Sequence, residues 1–291
     1  MKGLILVNAY AATVDTRQVT RLRDELRLRG VSCDAVRNDG FFAGVVGGNS
    51  TAIDGYDFCI YLDKDKYASH ILQKHMRLFN SAEAIEACDD KMTTHIMLSD
   101  NGIPMPDTLA GLLCYDKTAT VSDRAIDTVI QRLGLPVIVK QSFGSMGSGV
   151  FKADTKAQLK QIAARLINEP HLYQKYIAKS AGTDMRVIVV GGKVLGGIIR
   201  RSDNDFRSNI GLGGSAKKAD VPQAIADIAV KAAKILGLDY CGIDFLLGQT
   251  PLLCEVNSNA FFDAFENATN INVAGAYAEH IINSISDANQ C

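Results

Sequence analysis

The sequence lacks most of the features that assign a chain quickly. No apolar run approaches the roughly 20 residues needed to span a bilayer. The opening Met1-Lys-Gly-Leu-Ile-Leu-Val-Asn8 is too short for a signal peptide and reads as a first strand. Charge of neither sign dominates: 31 Lys and Arg stand against 32 Asp and Glu, a formal net charge of -1, so bulk electrostatics offers nothing to nucleic acid. The seven cysteines are odd in number, scattered and without paired spacing. They read as reduced, mostly buried thiols of a cytoplasmic protein, and none is given a catalytic role. The histidines His70, His75, His95, His171 and His280 show no metal-ligand spacing. Internal repeats and low-complexity segments are also missing. What remains is a soluble globular chain of 291 residues, 47% hydrophobic and 22% charged, long enough for two or three packed units.

Residues 3–8 read as an apolar strand, and residues 13–29 as a helix with Val14, Leu22, Leu26 and Leu28 on its inner side, stopped by Gly30. Strands at 31–36 and 57–62, with a glycine-rich loop at 41–55 between them, make a small parallel-sheet domain. Its Asn8-Ala-Tyr10 turn follows a strand carboxyl end, where open parallel sheets tend to bind ligands. Helices follow at 81–88, capped by Ser81, and at 89–100, opened by Lys91. A compact unit comes next: a helix at 122–133, a strand at 135–140, a glycine-rich loop, a helix at 154–167 capped by Asp154, and a strand at 171–177. The last unit opens on a hairpin around Gly191-Gly192, with Arg186 on one strand and Arg200-Arg201 on the other. A long polar loop at 202–217, a helix at 221–236, a second hairpin and a closing helix at 271–285 complete it. The domains are thus expected at 1–90, 91–179 and 180–291.

Two stretches carry chemistry. Tyr240-Cys-Gly-Ile-Asp-Phe-Leu-Leu-Gly-Gln-Thr-Pro-Leu-Leu-Cys-Glu-Val-Asn-Ser-Asn259 reads as two strands turning about Gln249-Thr250. That register sets Leu247 opposite Leu252, Leu246 opposite Leu253 and Asp244 opposite Glu255, with Asn257 two residues on along the same face. Facing carboxylates repel unless a cation lies between them, and three oxygen-bearing side chains suit magnesium. The competing reading is a solvated hairpin, although Leu246 and Leu253 would then share a wet face with the acids. The second stretch is Ser142-Phe-Gly-Ser-Met-Gly-Ser-Gly-Val150. Closely spaced glycines let backbone amides converge on phosphate oxygens. The loop lacks the Gly-Lys-Ser/Thr ending of a P-loop, and it joins two strands, like a flap. Lys140, at the preceding strand end, is either a phosphate-neutralising ammonium or an edge lysine reaching solvent. Lys91 likewise reads as a surface lysine on local sequence alone.

The order of these parts resembles an ATP-grasp ligase, specifically the RimK-like branch of carboxylate–amine ligases, over roughly residues 80–274. The segments that carry the likeness are Asp90-Lys91, Val137-Ile-Val-Lys140, Gly144-Ser-Met-Gly-Ser-Gly-Val150, Gln174-Lys-Tyr-Ile177, Gly182-Thr-Asp-Met-Arg186, Asp205-Phe-Arg-Ser-Asn209 and Glu255-Val-Asn257. The resemblance implies an α/β fold in which an amino-terminal parallel-sheet domain precedes the ATP-grasp unit. It implies that Lys91 and Lys140 contact ATP phosphates, that the flap with Ser145 and Gly147 closes over them, and that the backbone of Lys175, Tyr176 and Ile177 reads adenine. Asp184 would hold the ribose, Arg207, Ser208 and Asn209 would line the nucleotide and acyl-phosphate site, and Asp244, Glu255 and Asn257 would hold magnesium. The expected metal is two magnesium ions, with manganese as a substitute.

The implied reaction joins a carboxylate to an amine through an acyl phosphate, with Lys140, Arg201 and Arg207 neutralising charge. Expected partners are a small carboxylate and an amine (an amino acid, peptide or protein terminus), with no nucleic acid, no membrane, and self-assembly into a dimer or tetramer. Alternatives are an ATP-grasp enzyme with a thiol or other acceptor, and a nucleotide-binding protein without turnover. Two departures stand out. The family usually carries glutamate where this chain has Lys175, a swap that backbone contacts tolerate. The family's Asn-Ala-Ser-Pro-Gly segment is here Asn257-Ser-Asn-Ala-Phe-Phe262, beside the expected acceptor site.

Overall fold

The computed structural model describes residues 1–145, 147–208 and 214–288. Short apolar strands alternating with helices build a parallel sheet first: β1 (Lys2–Val7), α1 (Arg17–Leu28), β2 (Ser32–Arg37), the small hairpin β3 (Val45–Val46) and β4 (Asn49–Ser50), β5 (Phe58–Leu62), α2 (Lys66–Gln73), β6 (Arg77–Phe79) and α3 (Ala82–Asp89). The sheet order is β2-β1-β5-β6, all parallel. Helix α1 begins later than its periodicity suggests because Thr16 is the cap, its hydroxyl accepting from the Val19 amide. Val19, Leu22 and Leu26 form its buried stripe, whereas Leu28 is 76% exposed. The hairpin β3–β4 falls inside the stretch expected to be loop, and α2 and β6 fill residues 66–79, to which no element was assigned above.

A second, antiparallel sheet follows α4 (Lys91–Leu98): β7 (Thr108–Ala110), α5 (Asp123–Leu133), β8 (Val137–Gln141), β9 (Val150–Ala153), α6 (Lys156–Arg165) and β10 (His171–Lys175), in the order β7-β10-β8-β9. Thr155, not Asp154, caps α6, through a reciprocal capping box with Gln158. This unit has its own core, built on Ile126, Val129, Val137, Val139, Leu159 and Tyr173.

The third sheet, also antiparallel, is β13-β12-β11-β14-β15. Its elements are β11 (Thr183–Val190), β12 (Lys193–Arg201), β13 (Ser215–Ala219), α7 (Gln223–Ile235), β14 (Tyr240–Leu246) and β15 (Leu252–Asn257), then α8 (Asp263–Thr269) and α9 (Val273–Ala288). One hydrophobic cluster ties it to the amino-terminal sheet: Ile5, Val7, Leu22 and Leu26 share it with Ile188, Phe262, Tyr277 and Ile281. Within it Tyr240 stacks on Tyr277 at 4.9 Å between ring centroids, a pairing that adds about 1 kcal/mol to the burial of the rings. Among the described residues no helix is long and apolar enough to cross a membrane.

The β14–β15 hairpin turns differently from expectation. Leu246 pairs with Leu252 and Phe245 with Leu253, so the connection spans residues 247–251 instead of two residues. A bulge at Cys254 then absorbs one residue of β15, and Asp244 meets Glu255 as expected, with Gly242 opposite Asn257.

Candidate active site

A cleft opens between the second and third sheets. It is lined by Lys91, Lys140, Ser145, Gly147, Lys175, Tyr176, Ile177, Asp184, Arg207, Ser208, Asp244 and Glu255, whose extremes lie 164 residues apart and meet only through the fold. Two residues from the same expectation stand outside its walls, Arg201 and Asn257. Asn209 lies outside the described residues.

One wall is the edge of the second sheet. Lys140 is buried on β8, and its Nζ sits 3.4 Å from the Cys254 Sγ, across the cleft on the bulge of β15. The flap leaves β8 immediately afterwards. Gly147 in it has a φ of +76°, a left-handed conformation that a side chain would strain. Lys91, the first residue of α4, donates from Nζ to the Gly144 carbonyl at 2.9 Å. Burial pushes the Lys91 ammonium below its ordinary value; Glu255 pulls the other way, and the neighbouring Lys64 and Lys140 add to the lowering. At the end of β10, the Lys175 amide donates to the Asp107 carbonyl at 2.9 Å, while its ammonium reaches the Asp107 carboxylate at 2.9 Å on the surface. Lys175, Tyr176 and Ile177 line the cleft, while the Lys175 ammonium is held on the surface by Asp107.

The other wall is a face of the third sheet. Period-two alternation brings Asp184 and Arg186 of β11, Arg200 of β12 and Asp244 of β14 to one side. Arg186 grips Asp244 with two bonds of 2.7 and 2.8 Å, and Arg200 Nη2 adds a third at 2.8 Å. Arg200 also holds Asp184 through Nε at 2.7 Å, and the Ser208 hydroxyl donates to the same carboxylate. Burial opposes ionisation of Asp244, but the two guanidinium groups outweigh it and hold the carboxyl below its usual range. Burial and the negative Asp244 push Asp184 upward. Both oxygens of Asp184 are therefore occupied from within the protein.

The metal-ligand expectation meets this geometry directly. Asp244 retains one unused lone-pair direction on Oδ1, Glu255 makes no salt bridge among the described residues, and Asn257 lies on the same strand face. The Asn257 Nδ2 is buried with no hydrogen-bond partner among the described residues; as a donor it suits an acceptor such as a phosphate oxygen, and only the Oδ1 of the same amide could ligate a cation. Among the described residues no cluster of three or more His, Cys, Asp or Glu side chains could hold a metal alone. This donor set fits magnesium, which commonly takes one or two carboxylates and completes its shell with phosphate oxygens and water.

One expectation needs correction. Arg201 is exposed and paired with Asp203 at 3.0 Å, because adjacent strand residues point to opposite faces and Arg200 takes the inward one. The sequence reading names Arg201, and the structure turns its neighbour Arg200 to the cleft instead; the alternation of Asp184 and Arg186 on the partner strand is the signal for that face. Cys254 and Gln174 were also missed. Gln174 donates to Thr108 Oγ1 at 3.0 Å and contacts His95 Nε2 at 3.1 Å, beneath Lys140. Nothing local distinguishes either residue from ordinary core.

Residues 88–282 match the family model described as the RimK-like ATP-grasp domain. Human N-acetylaspartylglutamate synthase A is 37% identical over 215 residues, covering 72% of this chain and 54% of that protein. A probable alpha-L-glutamate ligase of Legionella pneumophila (strain Corby) is 36% identical over 220 residues, covering 73% of this chain and 69% of the relative. The chain therefore spans about half the length of the synthase. Among solved structures, the RimK domain ATP-grasp protein of Sphaerobacter thermophilus superposes with a TM-score of 0.72 at 17% identity, over 96% of this chain and 99% of that one. D-alanine–D-alanine ligase from Bacillus anthracis complexed with ATP gives 0.73 at 14% identity, over 100% and 99%.

Proposed function

The chain belongs to the RimK-like ATP-grasp family, and from that membership we propose that it is an ATP-dependent carboxylate–amine ligase. The carboxylate takes the terminal phosphoryl group of ATP to give an acyl phosphate and ADP, and the amine then displaces phosphate to form an amide. One observation carries this reading: a single cleft opposes Lys91 and Lys140 on one wall to the facing pair Asp244 and Glu255 on the other. Cations on one side and unshared carboxylate oxygen on the other suit a triphosphate with its divalent ion.

In this reading Lys91 and Lys140 bind phosphate oxygens, and the flap amides cover them and keep water from the acyl phosphate. The main chain of Lys175, Tyr176 and Ile177 reads the base. Glu255 and the free lone pair of Asp244, with Asn257 next along β15, would hold magnesium, which would supply neutralisation of phosphate charge. Arg207 orients the transferring group. Asp184 contributes through Ser208 and Arg200, since its own oxygens are engaged. An amino acid, glutamate first among candidates, is the amine or acid partner; the names of the Legionella and human relatives support that choice. The proposal extends to two magnesium ions with manganese as a substitute, a self-assembled dimer or tetramer, and a cytoplasmic setting, the last supported by the unpaired thiols of Cys33, Cys59, Cys88, Cys114, Cys241 and Cys254.

The test is incubation of the protein with ATP, magnesium and a matrix of acids and amines, with ADP, phosphate and product mass as readouts. ADP release that needs both an acid and an amine supports ligation. Release with thiols alone moves the acceptor assignment, and protection by nucleotide against unfolding without turnover marks a binding protein.

A further inference from the structure

We infer that Asp205 is the positioning residue of a flap latch: it aims Arg207, and Arg207 holds the glycine-rich flap by the Gly147 carbonyl until phosphate oxygens replace that carbonyl. The inference rests on the reading of the cleft as a nucleotide site and adds to it a residue with no assigned role.

The geometry is unusually complete for a surface loop. Asp205 grips Arg207 by both oxygens, Oδ1 to Nε at 3.0 Å and Oδ2 to Nη2 at 2.7 Å, and its Oδ1 also accepts the Arg207 amide at 2.8 Å. The guanidinium then donates from Nη1 to the Gly147 carbonyl, 60 residues away in sequence. The root of this arm is fixed as well. The Gly182 amide donates to the Phe206 carbonyl and the Ser202 amide to the Gly182 carbonyl, each at 2.8 Å. Gly182 has a φ of +66°, and a Cβ there would lie 2.4 Å from the Ser202 carbonyl and 2.9 Å from that of Asp205. Only glycine lets the loop close so tightly on the start of β11. Lys91 holds the flap from the opposite wall through Gly144. Two cations on separate walls thus grip two flap carbonyls three residues apart.

A neutral carbonyl is the weaker partner for a guanidinium; a phosphate oxygen is charged and competes well. Arg207 has five N–H groups in a rigid fork, and the two not used by Asp205 or Gly147 remain available while the exchange takes place. Asp205 fixes the fork's direction, so the released donors face the phosphates and not solvent. Its hydrogen bonds from Arg207 hold its carboxyl below the usual range, so it stays charged at working pH.

The experiment uses the full chain carrying Asp205→Asn, with Asp205→Glu as the conservative partner. Without nucleotide, flap amides within residues 142–150 are expected to exchange with deuterium about tenfold faster in D205N than in the wild type, the factor that losing one modest charge-assisted contact represents. D205E, which keeps both carboxylate oxygens, is expected to recover most of the protection. In steady state, kcat of D205N should fall about tenfold or more while KM for ATP does not rise, because a negative charge near the triphosphate has been removed. A loop that merely unfolds would instead raise KM and lower the unfolding midpoint, and that pattern overturns the inference. So does unchanged flap exchange in D205N. If the wild type joins no acid to any amine, the ligase reading fails on its own, and the exchange measurement with and without MgATP still decides the latch.

Discussion

Asp244 faces Glu255 across β14 and β15, and the bulge at Cys254 is what puts the two in register. The two carboxylates are not equivalent. Asp244 is compensated by Arg186 and Arg200, whereas Glu255 has no ion pair among the described residues and lines the cleft. Its charge is the one free to attract a cation. Glu255→Gln preserves shape and removes that charge. Turnover is expected to fall by at least about two orders of magnitude, and the magnesium-dependent part of ATP binding to disappear, with thermal stability unchanged. Calorimetric titration of ATP with and without magnesium reads the second effect; near-normal magnesium dependence would falsify the metal assignment.

Arg200 and Arg201 are neighbours with opposite roles. Arg200 is 4% exposed and bridges Asp184 to Asp244, so Arg200→Met leaves two buried carboxylates short of a partner. Removal of one member of a buried ion pair costs on the order of 3–5 kcal/mol. Arg201, with its side chain 69% exposed, loses only a surface contact with Asp203, and R201M should unfold within about 0.5 kcal/mol of the wild type. Urea titrations of the two variants side by side make the comparison, and similar midpoints would contradict the assignment of the inward face.

Lys140 is fixed by its strand and by the Cys254 thiol, so its ammonium is preorganised with little freedom left to lose. Lys140→Ala is expected to lower kcat by at least about two orders of magnitude, on the scale of one well-placed electrostatic group. Lys140→Arg should recover little, because a guanidinium is longer and planar in a site shaped for a point charge. Wild-type rates in K140A would remove the lysine from the phosphate site.

Much of this site was legible because strand chemistry is periodic. Facing of Asp244 and Glu255 follows from counting along two strands, and it survived even though the turn was placed one pair off, since the bulge cancelled the error. The parallel first sheet was legible from alternating apolar strands and helices, and the cap of α3 from Ser81. What escaped depends on side-chain direction or on contacts across the chain. The inward choice of Arg200 over Arg201 needs a burial pattern, Cys254 becomes a cleft residue only through its bulge, and α2 is too short for its period to stand out. The Asp205–Arg207–Gly147 chain closes over 60 residues, beyond any local signal.

His95 supplies a pH test that is independent of catalysis. It is 6% exposed, and Gln174 Nε2 donates to its Nε2 at 3.1 Å, which places the ring proton on Nδ1, against Met105 Sδ at 3.2 Å. A second proton would have to enter at Nε2, opposite an amide donor. Burial, helped by the positive Lys140, lowers its pKa to about 4. In the unfolded chain the ring titrates near 6.5, so below that pH the unfolded state binds the extra proton first. The stabilisation is therefore complete above about pH 6.5 and is lost as pH falls toward 4, a change of about 3 kcal/mol at most. His95→Gln cannot take up this proton and should flatten the stability profile in that window. Salt-bridged carboxylates, which titrate lower, still destabilise both proteins on further acidification. Chemical denaturation at half-unit pH intervals separates the two, and parallel profiles between pH 6.5 and 4 would show that His95 takes up its proton as readily in the folded protein as in the unfolded chain.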